Sequence, residues 1–290
     1  MARGSFLGFP ALGLLALCLL CVHGFRPAVR ALGVRGTIAL RMMSTPEFSS
    51  CTVSSNRKEA EGLRFVEIEV SEELAAQYKT PGQYVKIKVG EGKPGFYAMA
   101  SSPDSAQQRT LQFVVKETEN NQYITGAKPG DKLDVSSPQG KGFNLIEAFE
   151  SYKFDFPATN VLLMATGSGL APIASAIDFA PMGLRKIGFN SLFERKATLY
   201  IGARSEDHLP LKSRYADWEN KGVRVIPVLS KGSSSWTGKT GYIQDALKID
   251  GVKTPRNTGV LLCGHRGMTD NVKEICLDAG VFEGRLLLNF

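Results

Sequence analysis

Asn160-Val161-Leu162-Leu163-Met164-Ala165-Thr166-Gly167-Ser168-Gly169-Leu170-Ala171-Pro172-Ile173 is the stretch on which the fold turns. Residues 161–165 are apolar without a break, as in a strand buried on both faces of a parallel sheet. Gly167 and Gly169 then permit φ > 0 and let backbone approach a ligand with no Cβ in the way. Thr166 and Ser168 add hydroxyl donors. Pro172 suits the first turn of a helix, where its missing N–H costs nothing. A strand, a glycine turn and a helix start, in that order, aim free N–H groups and the helix dipole at one point, which is how backbone holds a pyrophosphate. Alone, the Gly-Ser-Gly turn is weak evidence, because many α/β proteins use glycine there for the turn itself.

Downstream, the same grammar repeats. Further strands are expected at residues 197–202, 223–229 and 259–264, with helices at 211–220, 242–248 and 269–279. Strands alternating with helices through right-handed crossovers give a doubly wound parallel sheet, which binds ligands at the carboxyl ends of its strands. Three of those ends carry small residues: Thr166-Gly167-Ser168-Gly169, Gly202-Ala203-Arg204-Ser205 and Cys263-Gly264. A dinucleotide lying across the sheet edge requires that, and three such ends in order are far stronger evidence than one.

Upstream, the period changes to two. Residues 63–70, 83–89, 111–116 and 132–135 are short apolar alternations. Thr80-Pro81-Gly82, residues 90–95, Pro129-Gly130-Asp131 and Pro138-Gln139-Gly140 punctuate them. Short strands at regular spacing predict an antiparallel barrel. A short helix is expected at residues 121–127, capped by Asn120 or Asn121 and offering backbone N–H groups to an anion.

Residues 1–46 hold Arg3, Arg26, Arg30, Arg35 and Arg41 and no acid; the other 30 basic residues face 28 acidic ones, so the rest is near neutral and nothing argues for nucleic acid. Residues 11–22 are an apolar run too short for a membrane anchor, preceded by a basic residue and followed by Gly24, the layout of a cleavable signal peptide over residues 1–24. Residues 25–43 start Phe25-Arg26-Pro27 and read as a transit peptide. Together they resemble the bipartite presequence of algae with plastids of secondary origin, which addresses the chain to the plastid stroma; the alternative is plain secretion. No other run is long enough to cross a membrane. Cys51, Cys263 and Cys276 have neither metal-ligand spacing nor an even-numbered framework, which suits a reducing compartment and no metal.

At this point the pieces resemble a known family, the ferredoxin–NADP reductase superfamily, and within it the plant plastid "fruit protein" type. The resemblance spans residues 54–290. It rests on Pro81-Gly82-Gln83-Tyr84, Tyr97-Ala98-Met99-Ala100-Ser101-Ser102-Pro103, Lys128-Pro129-Gly130-Asp131, Ser137-Pro138-Gln139-Gly140, residues 165–172, Gly202-Ala203-Arg204, residues 236–242, and Leu262-Cys263-Gly264 followed by Met268. It implies an FAD-binding barrel at residues 48–152 and an NAD(P)-binding α/β domain at 158–290. It implies that Tyr97, Ala98, Met99, Ala100 and Ser101 line the flavin, and that Thr166, Gly167, Ser168, Gly169 and Pro172 serve the nucleotide's pyrophosphate. Gly202 and Arg204 fall at its adenosine end, and Cys263, Gly264 and Met268 near the nicotinamide. Phe290 is similar to the terminal aromatic that relatives stack on the flavin. The family's Arg-x-Tyr-Ser reads Gly95-Phe96-Tyr97-Ala98 here, and its Gly-x-x-Ser is missing around residues 119–122. Lys116 or the helix start near Asn121 is a candidate replacement for the lost charge, and a Gly95→Arg change is expected to tighten flavin.

Each residue also has a plainer reading. Cys263 is a small core residue or a wall of the site, Tyr97 a barrel aromatic or a flavin contact, Arg204 a solvated strand-end charge or a ligand to adenosine, and Phe290 a frayed end or a stacked ring. His265 reads as a surface loop residue. Lys231 and Lys239, flanking Ser233-Ser234-Ser235, are either a 2′-phosphate site or an ordinary polar loop. The functional expectation is hydride transfer from NAD(P)H to FAD and on to an unidentified small-molecule or protein acceptor. The alternative is a nucleotide-binding or regulatory module of a plastid electron-transfer assembly that has lost the flavin. NADH and NADPH both fit, and no feature fixes an oligomeric state.

Overall fold

The computed structural model describes residues 47–150, 154, 156–179 and 195–289. The expected signal and transit peptides, and Phe290, lie outside the described residues. No helix among the described residues is long and apolar enough to cross a membrane.

The first sheet is antiparallel. It comprises β1 Phe48–Ala60, β2 Leu63–Glu69, β3 Tyr84–Lys88, β4 Gly95–Ala98, β5 Thr110–Lys116 and β6 Lys132–Ser136. Short helices α1 Glu72–Gln77, α2 Pro103–Ala106 and α3 Gln122–Thr125 sit in its connections. The strand order is β4-β3-β6-β1-β2-β5. Its two edges meet where Met99 bridges Phe113 and Ala100 N donates to Gln112 O at 2.6 Å, so the sheet curls into a barrel. Alternation fills that barrel with Val53, Val66, Ile68, Val85, Ile87 and Phe113. The strand β1 carries little apolar signal of its own (Phe-Ser-Ser-Cys-Thr-Val-Ser-Ser-Asn-Arg-Lys-Glu-Ala). It is held in place by ladders on both sides, to β6 through Phe48–Thr52 and to β2 beyond, which is context overriding propensity.

The second sheet is parallel throughout. Its elements are β7 Asn160–Thr166, α4 Leu170–Asp178, β8 Lys196–Ala203, α5 Tyr215–Asn220, β9 Val223–Leu229, β10 Lys239–Thr240, α6 Ile243–Asp250, β11 Thr258–Cys263, α7 Arg266–Asp278 and β12 Leu286–Leu288. The order β10-β9-β8-β7-β11-β12 shows the chain winding outward from β7 and then returning to its other side. The direction of winding reverses between β7 and β11, where such sheets open a crevice. The helix expected over residues 211–220 starts only at Tyr215, because Leu211 is left-handed (φ 55°) and residues 212–214 make a tight 3-10 turn.

The two sheets share a core. Strands β2 and β5 are buried on both faces, and their outward residues Leu63, Phe65 and Val114 pack with Val161, Leu163 and Ile173 of the α/β half. A polar link crosses the same boundary. The buried Tyr78 hydroxyl donates to Ser101 O at 3.0 Å and meets Ser175 Oγ of α4 at 2.6 Å. Since its single proton goes to the carbonyl, the serine is the donor in the second bond. Tyr78→Phe leaves both partners buried without a mate, and the expected loss is about 1–3 kcal/mol, read as a lower urea midpoint with an unchanged slope.

Candidate active site

The carboxyl ends of β7, β8 and β11 open onto a cleft of about 1430 Å³ whose opposite wall is the barrel. A pocket for one small molecule holds roughly 300–1,000 Å³, so this cleft has room for more than one.

On the α/β side, close backbone approach builds the floor. A Cβ on Gly169 would lie 2.5 Å from Cys263 O and 2.9 Å from Gly264 N, so the β7 turn and the end of β11 touch as bare backbone. Gly264 packs equally closely on the Thr166 hydroxyl, and that hydroxyl accepts from His265 N at 3.1 Å. Gly167 differs. Its φ is +54° and a Cβ there would meet nothing within 4 Å, so its backbone faces open cleft. Gly202 lies against Thr166 and Ile243. Thr166, Gly167, Ser168, Gly169, Pro172, Gly202, Arg204, Cys263, Gly264 and Met268 all line this one cleft.

Burial pushes the Cys263 thiol up to about 12, so it is neutral at ordinary pH. It offers a small wall and an S–H, not a thiolate nucleophile. His265 is not a plain loop residue. It caps α7, its Nδ1 accepting from Gly267 N at 3.2 Å, and this starts the helix three residues before the expected position.

On the barrel side, Tyr97, Ala98 and Lys116 reach the cleft. Met99, Ala100 and Ser101 do not. Met99 and Ala100 are fully buried, and their N–H groups are taken by Gln83 O and Gln112 O. Ser101 Oγ accepts from Gln112 N at 3.2 Å. Barrel closure turns this segment inward, which corrects their expected place along the flavin.

The glycine at position 95 has a structural cause. The Tyr97 phenol lies back over the place where a side chain at 95 would stand, and a Cβ there would meet Tyr97 Oη and Tyr123 Oη at 2.6 Å each. The two hydroxyls are 2.8 Å apart. Tyr123 Oη donates to Ile87 O at 3.0 Å and accepts from Gly95 N at 3.1 Å, which makes Tyr97 the donor between the phenols. Burial, with Tyr123 beside it, holds the Tyr97 hydroxyl protonated far above the usual tyrosine range. Sequence reasoning missed Tyr123, which lies 28 residues from its partner Gly95.

The helix expected at residues 121–127 is one turn, α3, and Asn121 does not cap it. Asn121 instead closes the preceding turn, accepting from Thr118 N and donating to Lys116 O. Lys239 is committed to Asp250 at 2.7 Å, and Ser233 is bonded to Glu206 and Ser235. Neither Lys231 nor Lys239 lines the cleft. Arg204 lines the cleft just past the end of β8, exposed and without a described ion-pair partner.

Residues 163–274 match the family described as "Oxidoreductase NAD-binding domain". "Fruit protein pKIWI502" of Actinidia deliciosa is 30% identical over 233 residues, covering 77% of this chain and 70% of that protein. The chain belongs to the ferredoxin–NADP reductase superfamily. A second member, "NADH-cytochrome b5 reductase 2" of Pyricularia oryzae, is 28% identical over 187 residues, covering 62% of this chain and 52% of that protein. The chain therefore spans about half of that relative's length. Among solved structures, a ferredoxin NADP+ reductase from Neisseria gonorrhoeae with bound FAD and NADP superposes with a TM-score of 0.67 at 18% identity, covering 84% of this chain and 98% of the other. At that identity the likeness shows the fold, and the superfamily's pairing of barrel and parallel sheet is the one described above.

Proposed function

We propose that this chain is a flavin-dependent NAD(P)H oxidoreductase that binds both FAD and the pyridine nucleotide in the one cleft and passes electrons to a small-molecule or protein acceptor. The observation that carries the proposal is the cleft itself: Tyr97 and Ala98 of the barrel line it together with Cys263 and Gly264 of the parallel-sheet half.

The residues fit the two groups. Gly167 opens backbone toward a pyrophosphate at the start of α4, and Thr166 and Ser168 stand beside it. Arg204 suits the adenosine end. Tyr97 gives the flavin an aromatic wall, and Lys116 is the cation on that wall. Bound flavin supplies the hydride chemistry; the protein positions and dries the cleft, and the neutral Cys263 thiol adds no competing nucleophile. The plastid address read from residues 1–43 belongs to the same proposal and draws its support from the acid-free, arginine-bearing sequence.

The rival, a module that has lost its flavin, was motivated by Gly95 and Ala98. Packing of Tyr97 and Tyr123 explains Gly95 without any loss of ligand, which leaves Ala98 and the missing Gly-x-x-Ser to support that rival. The test is to purify the chain, offer it FAD, record the visible spectrum, and mix it anaerobically with NADH and with NADPH in a stopped-flow instrument. A yellow protein bleached by either nucleotide is expected. A colourless protein that takes up no FAD would overturn the proposal in favour of the module.

A further inference from the structure

Asn289 stands out among the buried polar side chains. Its relative exposure is 1%, yet both its Oδ1 and its Nδ2 lack a described partner. Buried carboxamides are nearly always bonded, because water has been removed from both a donor and an acceptor. The residue follows β12 and lines the main cleft. It also lines a smaller adjoining cavity of about 220 Å³, which it shares with Cys263, Gly264, Thr269 and Asp270. Its backbone comes near Gly140 of the barrel, so it stands where the two walls of the cleft meet.

Such a side chain asks for a planar group that presents one donor and one acceptor together. A carboxylate or phosphate satisfies only the Nδ2, and a hydrocarbon satisfies neither. We infer that Asn289 pairs with the carboxamide on the pyridine ring of the nucleotide, Nδ2 donating to its oxygen and Oδ1 accepting from its NH₂. This rests on the nucleotide reading given above and adds a specificity-determining residue to it. The end of β11 favours the pyridine ring over the flavin as the partner, since Cys263 and Gly264 border Asn289 in both cavities and face the β7 turn. Pairing of two amides fixes which face of the ring is presented and how far it slides along the cleft. Asn289 is thus a positioning residue and takes no part in bond making.

The test uses the FAD-loaded protein and titration calorimetry with three probes: the oxidised dinucleotide, its 3-acetylpyridine analogue, and ADP-ribose. The analogue keeps the ring's carbonyl oxygen but lacks the NH₂ donor. Wild type is expected to favour the natural dinucleotide over the analogue by about tenfold, the effect of one net hydrogen bond. Asn289→Leu, of similar volume and without polar atoms, should bind the natural dinucleotide at least tenfold more weakly, lose the discrimination, and bind ADP-ribose as wild type does. Asn289→Ala should repeat this pattern. Without nucleotide, the thermal midpoint of Asn289→Leu should be equal to or above that of wild type, because no bond is lost. A fall in that midpoint, or equal losses for ADP-ribose and dinucleotide, would mean a structural role and overturn the inference. So would a loss of FAD affinity with nucleotide discrimination intact, which would assign Asn289 to the flavin edge. If wild type binds ADP-ribose and the dinucleotide equally well, the inference fails while the nucleotide reading stands. If it binds neither, both fail.

Discussion

Gly95→Arg is expected to destabilise the protein by about 3 kcal/mol and to weaken flavin, the opposite of what restoring the family's arginine would suggest. Overpacking a built core costs roughly 1–3 kcal/mol, and each hydrogen bond lost nearby adds about 0.5–1.5 kcal/mol. The first two atoms that an added Cβ meets are hydroxyl oxygens, each 2.6 Å away, and the third is Tyr97 Cε2 at 2.8 Å. Neither tyrosine can swing aside freely. Tyr123 is tied to Ile87 O and Gly95 N, and both rings pack against the barrel core. Moving Tyr97 also removes the aromatic wall proposed for the flavin.

Gly95→Ala separates the causes. It adds the colliding atom without the charge, so it should already cost about 1–3 kcal/mol in a denaturant titration. Combined with Tyr123→Phe, which deletes one of the two hydroxyls, the same methyl should cost less, and the difference is the coupling between the positions. Additive effects in that double-mutant cycle, or a Gly95→Arg protein that is as stable as wild type and binds FAD more tightly, would show that the glycine is a lost charge and not a packing requirement.

What the sequence made legible, and what it hid, follows from the range of each interaction. The β7 turn could be read because strand, glycine turn and helix start are contiguous and each residue type has a local reason to be there. The three strand ends could be read because a parallel sheet places successive carboxyl ends on one edge. The Tyr97–Tyr123 pair could not, since nothing near Tyr123 marks it as the lid on a glycine 28 residues earlier. Asn289 is hidden for the same reason: an amide is marked only by its partners, and this one has none among the described residues. One local signal was available and passed over. Ser71 ahead of Glu72 and Glu73 is a helix start, and its hydroxyl accepts from Leu74 N at the head of α1. Met99 to Ser101 were misplaced because a motif gives order along the chain, while closure of the barrel decides which way each residue turns.

Gly167 and Gly169 sit two residues apart in one turn and should fail in different ways. Gly169 has an ordinary helical φ of −63°, so alanine there carries no backbone strain. The obstacle is contact. Its Cβ would stand 2.5 Å from Cys263 O and 2.7 Å from Cys263 C, atoms of another strand that cannot rotate away. Gly169→Ala must push the end of β11 from the β7 turn, and we expect a loss of about 3 kcal/mol in stability together with a roughly hundredfold loss of nucleotide affinity. Gly167 has the reverse problem. Its φ of +54° costs a non-glycine residue roughly 1–2 kcal/mol, while its surroundings have room for a methyl group. That room is the space assigned to the pyrophosphate. Gly167→Ala should therefore fold with a stability loss of about 1–2 kcal/mol and still bind nucleotide at least tenfold more weakly. Urea denaturation and calorimetric titration of the two variants side by side decide the matter. If Gly167→Ala binds nucleotide as wild type does, the open side of the turn is not where the pyrophosphate lies, and the assignment of the whole strand edge to a dinucleotide loses its anchor.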